Sequence, residues 1–279
     1  MIGYLAILGA VTIWAVFNGI LVKYVKSSGV AIGMWTGVVG AFLCFAVSGS
    51  PQFAGGWSLF WLMSLGTVAA LNNSFNYTGI KISIPVALLF HYLAPMLVVV
   101  WYFLIPSLYQ PISPKSLIAV TVGSLGVAYM ARSHWKEGSR KLVYLGLASA
   151  VFYSLEIVLS GYVSKTLHVP IGTSSFVKLA SQALIMPLMG TMVLKESTKL
   201  DGDDDLLILI GGFILYVSFM LYFYGSATVS DLNRGVLGYI DRVGAIALGA
   251  IVFKQERAKL TKEVWIGGAL IIGASLIIL

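Results

Sequence analysis

The chain has 279 residues, of which 58% are hydrophobic and only 10% are charged, and its mean hydropathy is +0.92. Soluble globular proteins carry about 25% charged residues, so this composition excludes a soluble enzyme or a soluble binding module. The formal net charge of +7 does not indicate nucleic acid as a partner, because most basic residues lie in short loops beside apolar stretches. The composition predicts a polytopic membrane protein whose partners are the lipid bilayer and a small molecule.

Apolar stretches long enough to cross the hydrocarbon core, which takes about 20 helical residues, recur along the whole chain. They predict an all-α integral membrane protein with ten transmembrane helices. The predicted spans are residues 2–22, 30–47, 57–76, 84–105, 116–131, 142–163, 171–194, 206–227, 232–253 and 264–279.

The two halves of the chain are related to each other. A shift of about 147 residues places residues 61–130 on residues 208–277 without a gap, span on span and loop on loop. Tyr77 then falls on Tyr224. Because five spans per half is an odd number, the halves must enter the membrane from opposite sides, which predicts two inverted five-helix repeats.

An irregular, polar linker at residues 132–141 separates these halves. The predicted organisation is a first repeat in residues 1–133 and a second repeat in residues 140–279, both within one transmembrane domain. Ten helices can enclose a cavity without a second chain, so either a monomer or a homodimer is compatible with the sequence.

Lysine and arginine are distributed unevenly between the loops. Loops after odd-numbered spans hold thirteen of them, whereas the other loops hold three. Basic loops stay on the cytoplasmic side, so this bias predicts a multi-pass protein of the cell (inner) membrane with both termini outside the cytoplasm.

An acidic run at residues 201–205 is similar to the opening of a calcium loop. Leu206 replaces the glycine that such a loop requires, and Gly212 stands where the closing glutamate would be. We therefore interpret the run as a solvated loop that caps the eighth helix. The sequence predicts no metal site and no cofactor.

Four short motifs are shared with a known family. They are Trp14-Ala15 in the first span, His91-Tyr92-Leu93-Ala94-Pro95 in the fourth, Tyr222-Phe223-Tyr224-Gly225-Ser226-Ala227 at the end of the eighth, and Glu256 followed by Gly267-Gly268-Ala269-Leu270-Ile271-Ile272-Gly273. In these motifs the chain resembles the EamA-type transporters of the drug/metabolite transporter superfamily. The resemblance extends over essentially the whole chain, and it implies ten helices in two inverted repeats and transport rather than enzymatic activity. Members of that family more often keep both termini in the cytoplasm.

The chain also departs from the family pattern. Arg242 stands where the ninth span usually has proline, the first-half counterpart of Glu256 is Tyr109, and the second span has no arginine near Thr36. These departures bear on the substrate more than on the fold.

Five ionisable residues lie well inside predicted spans, namely His91, Glu156, Lys178, Asp241 and Arg242, whereas Arg234 lies near the start of the ninth. A charge near the bilayer centre costs roughly 2.5 to 3.5 kcal/mol on insertion scales, so each is expected to have an interior partner or a watery cavity. The shift of about 147 residues that relates the halves places His91 near the position of Asp241 and Arg242 in the ninth span. This predicts a substrate site around a central axis at the membrane midplane.

Each of these residues has more than one interpretation. Glu156 has no cation at helical spacing on its own helix, which suits proton coupling or cation binding. Lys178 could take part in the site or extend its ammonium group to the surface. Asp241 and Arg242 could form a structural ion pair or line the cavity, and Arg234, seven residues before Asp241, shares its helix face.

Uncharged candidates complete the predicted site. Asn72 and Asn76 lie one turn apart at the end of the third span and could either bind substrate or finish the helix. Trp14 and Tyr92 could stack on a ligand or simply pack between helices.

The leading hypothesis is a secondary active transporter of a small polar or amphipathic metabolite. The mixed charges favour an amino-acid-like zwitterion, and the absence of a phosphate-binding glycine loop favours proton or exchange coupling. An exporter of lipophilic organic cations held by Glu156 is the alternative. An intramembrane enzyme is a rival of another class, but the three histidines, His91, His134 and His168, are scattered, and no catalytic residue is assigned. A retinal-binding photoreceptor, with Lys178 as its lysine, fits less well because ten spans are predicted.

Overall fold

The computed structural model describes residues 1–53, 55–134, 140–258 and 260–279, with backbone alone for residues 131–134. Helices dominate these residues. The long segments are α1 (Ile2–Tyr24), α2 (Gly29–Ser48), α3 (Gly56–Ile82), α4 (Ile84–Leu104), α5 (Pro114–His134), α6 (Arg140–Lys165), α7 (Ile171–Leu194), α8 (Asp205–Ser226), α9 (Asp231–Val252) and α10 (Lys262–Ile278).

Seven of these segments are long and apolar enough to cross a membrane, namely α1, α2, α4, α6, α7, α8 and α9. Of the remaining three, α5 and α10 pack against each other, and α3 packs against α6 and α7. The membrane-protein class predicted from composition is confirmed, and ten crossings remain a prediction.

The third predicted span ends too early. The helix α3 continues to Ile82, so Asn72 and Asn76 lie well inside it and not at its end. The reason is that the polar run faces inward: Asn72 donates to Glu156 over 2.9 Å, and Asn73 donates to Gln182 over 2.6 Å. Polar side chains with interior partners do not have to end a helix in the membrane.

Three of the segments change their helical geometry, two of them beside the central cavity and α7 at its C-terminal end. A 3₁₀ turn at Phe90–Leu93 interrupts α4, because Pro95 cannot donate to the carbonyl of His91 and its ring crowds that carbonyl. In α1 a π-helical turn spans Phe17–Leu21, and in α7 another spans Gly190–Leu194. Such turns are frequent at functional sites.

The distribution of polarity is that of a protein in lipid. Large apolar side chains such as Phe42, Phe103 and Leu184 are 69 to 82% exposed on the outside of the bundle. Charged side chains such as Glu156, Arg234 and Asp241 are at most 2% exposed inside it. Lipid offers charged groups no partners, and these charged side chains accordingly lie inside the bundle.

Helix packing follows a paired pattern. The helices α2 and α7 pack against each other, as do α5 and α10. In addition α3 contacts α6 and α7, while α8 contacts α1 and α2. Shifting every helix number by five exchanges these two sets of contacts.

The start of α8 differs from the sequence-based interpretation. No side chain caps this helix at Asp204. The Asp204 carboxylate instead accepts hydrogen bonds from the amide of Lys26 and from the amide and hydroxyl of Ser27. The acidic run thus attaches this loop to the one between α1 and α2.

The linker predicted at residues 132–141 falls partly outside the described residues, which omit 135–139. The division into repeats at residues 1–133 and 140–279 accordingly stays a prediction.

Candidate functional site

A small cavity of about 30 Å³ lies at the centre of the bundle, between α1, α3, α4, α6, α7, α8 and α9. Eight of the nine residues predicted to bind substrate line it: Trp14, Asn72, Asn76, His91, Glu156, Lys178, Asp241 and Arg242. The structure therefore gathers side chains from six helices that are far apart in sequence.

Tyr92 is the predicted residue that does not line this cavity. It is fully buried and packs against Tyr239 of α9, with the ring centres 5.5 Å apart. The 3₁₀ turn of α4 directs His91 to the cavity and its neighbour away from it, so Tyr92 belongs to the packing between α4 and α9.

Glu156 and Lys178 form a buried ion pair across α6 and α7, and each residue is 2% exposed. The expectation that Glu156 lacks a cation was wrong, because that reasoning considered neighbours on its own helix only. The alternative in which Lys178 reaches the surface was also wrong. The partner comes from the next helix, which sequence spacing does not reveal.

Aromatic rings surround the Lys178 ammonium group. Its Nζ atom lies 3.8 Å from the centre of the Phe219 ring, 5.4 Å from that of Tyr222 and 5.5 Å from that of Trp14. Ring faces attract cations within about 6 Å. The cation is thus neutralised by one carboxylate and held by three rings.

Asp241 and Arg242, consecutive on α9, form the second ion pair of the cavity. Asn18 of α1 donates to Asp241 over 3.3 Å, and the Arg242 guanidinium lies 4.6 Å from the centre of the Tyr153 ring. The two pairs bring two acids and two bases to one cavity.

Arg234 does not join this site, although it shares a helix face with Asp241. Its guanidinium pairs with Asp231 over 2.5 Å, one turn earlier on α9, and donates to the hydroxyls of Ser160 and Ser226. Arg234 therefore has Asp231 as its partner and contributes to packing near the start of α9, not to the central cavity.

A chain of hydrogen bonds connects His91 to the first ion pair. The His91 ring contacts the Ser149 hydroxyl, and Ser149 donates to the side-chain oxygen of Asn72 over 2.8 Å. Asn72 in turn donates to Glu156 over 2.9 Å. His91 also stacks on Tyr153, with ring centres 5.2 Å apart. This chain is a continuous polar path through the centre of α3, α4 and α6.

Sequence reasoning missed several residues of the site. Asn18 lies one helical turn after Trp14, so its polarity within an apolar span was the available signal. Phe219 carries no such signal, because a phenylalanine in an apolar span does not differ in polarity from the residues around it. The same holds for Tyr153, one turn before Glu156. Their roles follow from contacts between helices.

The cavity has room for about two water molecules in this conformation. A larger ligand could enter only if side chains moved or the space widened. Among the residues that the structure describes, no group of three or more acidic, histidine or cysteine side chains is arranged to hold a metal ion. The chemistry available is the binding of charged and hydrogen-bonding groups.

Comparisons with known proteins give a similar fold and a matching family. A solved structure described only as "Crystal structure of protein" superposes with a TM-score of 0.69 over 99% of this chain and 95% of that chain. At 20% identity this likeness shows the fold alone. No curated protein matches the sequence. The model of the EamA-like transporter family matches residues 140–279. The chain therefore belongs to the EamA-like transporter family, as its sequence motifs suggested.

Proposed function

We propose that this chain is a secondary active transporter that moves a small zwitterionic metabolite, of the amino-acid kind, through the central cavity. The observation that carries the proposal is the pair of ion pairs, Glu156 with Lys178 and Asp241 with Arg242, on the wall of one buried cavity. Charges of both signs can each bind the opposite end of a zwitterion, whereas a neutral or purely apolar ligand would not need them.

We further propose that the substrate gains access from the two sides in turn, by the rocking of two inverted five-helix repeats with ten membrane crossings. The exchange of helix contacts under a shift of five supports this arrangement, since α3 packs on α6 and α7 as α8 packs on α1 and α2. A site between related halves is where such transporters hold their substrate. In this scheme the small volume of the cavity would belong to a conformation with little room for substrate at the site.

Coupling would use the hydrogen-bonded path from His91 to Glu156. A proton bound at His91 would act on Glu156 through the orientation of the Ser149 hydroxyl and the Asn72 amide, because the amide itself cannot pass a proton on and each successive pair is within hydrogen-bond contact. Protonation of Glu156 would release Lys178 from its ion pair. Exchange of one substrate for another is the other form of coupling that this site permits.

The test is charge movement in proteoliposomes on a solid support. Amino acids, organic cations and purines are applied to wild type, to Glu156→Gln and to Asp203→Asn, with and without a pH gradient. Asp203→Asn is the matched control, because its carboxylate is 78% exposed in a loop. We expect an amino-acid-dependent current in wild type and in the control, and its loss in Glu156→Gln.

Two other outcomes are informative. A current with organic cations alone would favour the drug-exporter alternative. No current from folded wild type, together with no counterflow of labelled amino acids, would contradict transport of this substrate class.

A further inference from the structure

We propose that the rings of Trp14, Phe219 and Tyr222, together with the Glu156 carboxylate, form a subsite for an ammonium group. In this conformation the chain's own Lys178 occupies it. The inference rests on the proposed function, because it assigns one end of the proposed substrate to one part of the cavity.

The surroundings of Lys178 are those of an ammonium ligand. The Nζ atom is 3.8 Å from the Phe219 ring centre and is bonded to Glu156, and the lysine is 2% exposed. Trp14 and Tyr222 complete the walls at 5.5 and 5.4 Å. A carboxylate combined with several ring faces attracts a cation and offers nothing to an anion.

The walls of the subsite are held by contacts that do not involve Lys178. The Trp14 indole donates to the Ser218 hydroxyl over 2.8 Å. The Tyr222 hydroxyl accepts from Arg234 over 3.1 Å. The Trp14 ring centre is 5.1 Å from that of Tyr222 and 5.7 Å from that of Phe219. The subsite can therefore persist when Lys178 moves away.

The size of the cavity indicates replacement of the lysine. With Lys178 in place the free volume is about 30 Å³, too small for an amino acid beside it. A substrate ammonium group would take the position of Nζ against Glu156. The displaced Lys178 and the nearby Arg242 would then be available for the substrate carboxylate.

The experiment uses Lys178→Ala, which empties the subsite, with propylammonium as the probe. Propionamide has a similar shape without the charge, and propionate carries the opposite charge. Binding to purified protein in detergent is measured by calorimetry and by the shift in unfolding temperature. We expect Lys178→Ala to bind propylammonium at least about tenfold more tightly than wild type does, and more tightly than either control compound.

A second substitution tests the rings themselves. Adding Phe219→Leu to Lys178→Ala removes the nearest ring face, and we expect it to weaken propylammonium binding about tenfold. Folded Lys178→Ala that binds propylammonium no better than wild type, or no better than propionamide, would overturn the proposal.

Should Lys178→Ala fail to fold, wild type provides the measurement. The ε-methylene of Lys178 should resonate upfield in NMR spectra of lysine-labelled protein, because three rings surround it. Propylammonium, and not propionamide, should return the signal toward its ordinary position. A signal that does not move throughout the titration would contradict displacement.

The outcomes separate the two proposals. Ammonium binding by Lys178→Ala together with no amino-acid transport by wild type would retain the subsite and reject the transporter function. Amino-acid transport by wild type with no ammonium binding by folded Lys178→Ala would reject the subsite alone.

Discussion

Gln110 and Glu256 make equivalent contacts in the two halves of the chain. Glu256 accepts a hydrogen bond over 3.3 Å from the amide of Ile84, the first residue of α4. Gln110 accepts one over 3.2 Å from the amide of Asp231, the first residue of α9. Ile84 and Asp231 are related by the same shift of about 147 residues that aligns the halves.

The equivalence extends to a lysine at the end of each half's first helix. Lys23 pairs with Glu256 over 3.1 Å, and Lys165 donates to Gln110 over 2.9 Å. The sequence alignment made Tyr109 the counterpart of Glu256, but the contacts assign that place to Gln110, one residue later. Each cluster therefore joins the first residue of one helix, α4 or α9, to side chains from other segments of the chain.

This equivalence predicts that Glu256→Gln is tolerated and Glu256→Ala is not. Lys23 keeps its bonds to the carbonyls of Lys81, at 2.8 Å, and Ile82 in either variant. The glutamine oxygen can still accept from the Ile84 amide, as Gln110 does from its own partner. We expect a loss of about 1 kcal/mol for the glutamine variant and about 3 kcal/mol for the alanine variant. Unfolding in detergent measures both, and equal losses would contradict the equivalence.

The buried ion pair predicts strong coupling between two substitutions. Glu156→Gln alone leaves the Lys178 charge without its carboxylate, at a cost of about 3 to 5 kcal/mol. Adding Lys178→Met removes that charge, so the double variant should regain most of the stability while transport stays lost. Unfolding temperature and transport rate are measured on the same preparations. Additive losses of stability would show that the two side chains do not interact.

Arg242 distinguishes a zwitterionic substrate from a simple cation. If it binds the substrate carboxylate, Arg242→Gln should raise the KM for amino acids about tenfold or more and leave organic cations unaffected. Arg242→Lys keeps the charge but loses the flat group over the Tyr153 ring, so its effect should be smaller. Equal effects of Arg242→Gln on amino acids and on cations would contradict carboxylate binding.

Ser149 tests the hydrogen-bonded link through which the protonation of His91 would act on Glu156. Ser149→Ala removes the link between His91 and Asn72 without changing any charge. We expect uptake driven by a pH gradient to fall several-fold, whereas exchange of labelled for unlabelled substrate should keep its rate. Ser64→Ala is the control, because that hydroxyl donates to the Phe60 carbonyl of its own helix. Proton-driven uptake that matches wild type in Ser149→Ala would exclude this path.

Asp204 predicts a pH dependence of stability at one end of the bundle. Burial acts to raise the pKa of this carboxyl group, but hydrogen bonds from Ser27 and from the Lys26 amide outweigh it, so the pKa lies below its usual value. The charged form is favoured in the folded state. The stabilisation is therefore present above the unfolded pKa of about 3.9 and is lost as the pH falls through the lower folded value.

The corresponding measurement compares Asp204→Asn with wild type as the pH is lowered. At neutral pH the variant should be less stable by about 2 kcal/mol, and the difference should shrink toward pH 3. Asp203→Asn, whose carboxylate is 78% exposed, should differ little from wild type at any pH. A difference for Asp204→Asn that does not vary with pH would contradict an ionised Asp204 as its source.

Most helix limits could be predicted because the bilayer imposes a simple rule on length and polarity. The predicted spans at 84–105 and 171–194 differ from α4 and α7 by at most one residue. The exception, α3, was cut short at its asparagines. A polar run in an apolar span has two explanations, a helix end or an inward face, and only the neighbouring helices decide between them.

Sequence alone was enough to predict the membrane class, the family and the set of residues that lipid would not tolerate. Composition and spacing carry this information, since the cost of placing charge in hydrocarbon is paid residue by residue. Tertiary structure alone decided the partners: Lys178 for Glu156, Asp231 for Arg234, and Phe219 beside an ammonium group. Most of these contacts join residues on different helices, and the packing of the helices sets their distances. Arg234 has acidic residues before and after it on its own helix, and only the structure shows that it pairs with Asp231.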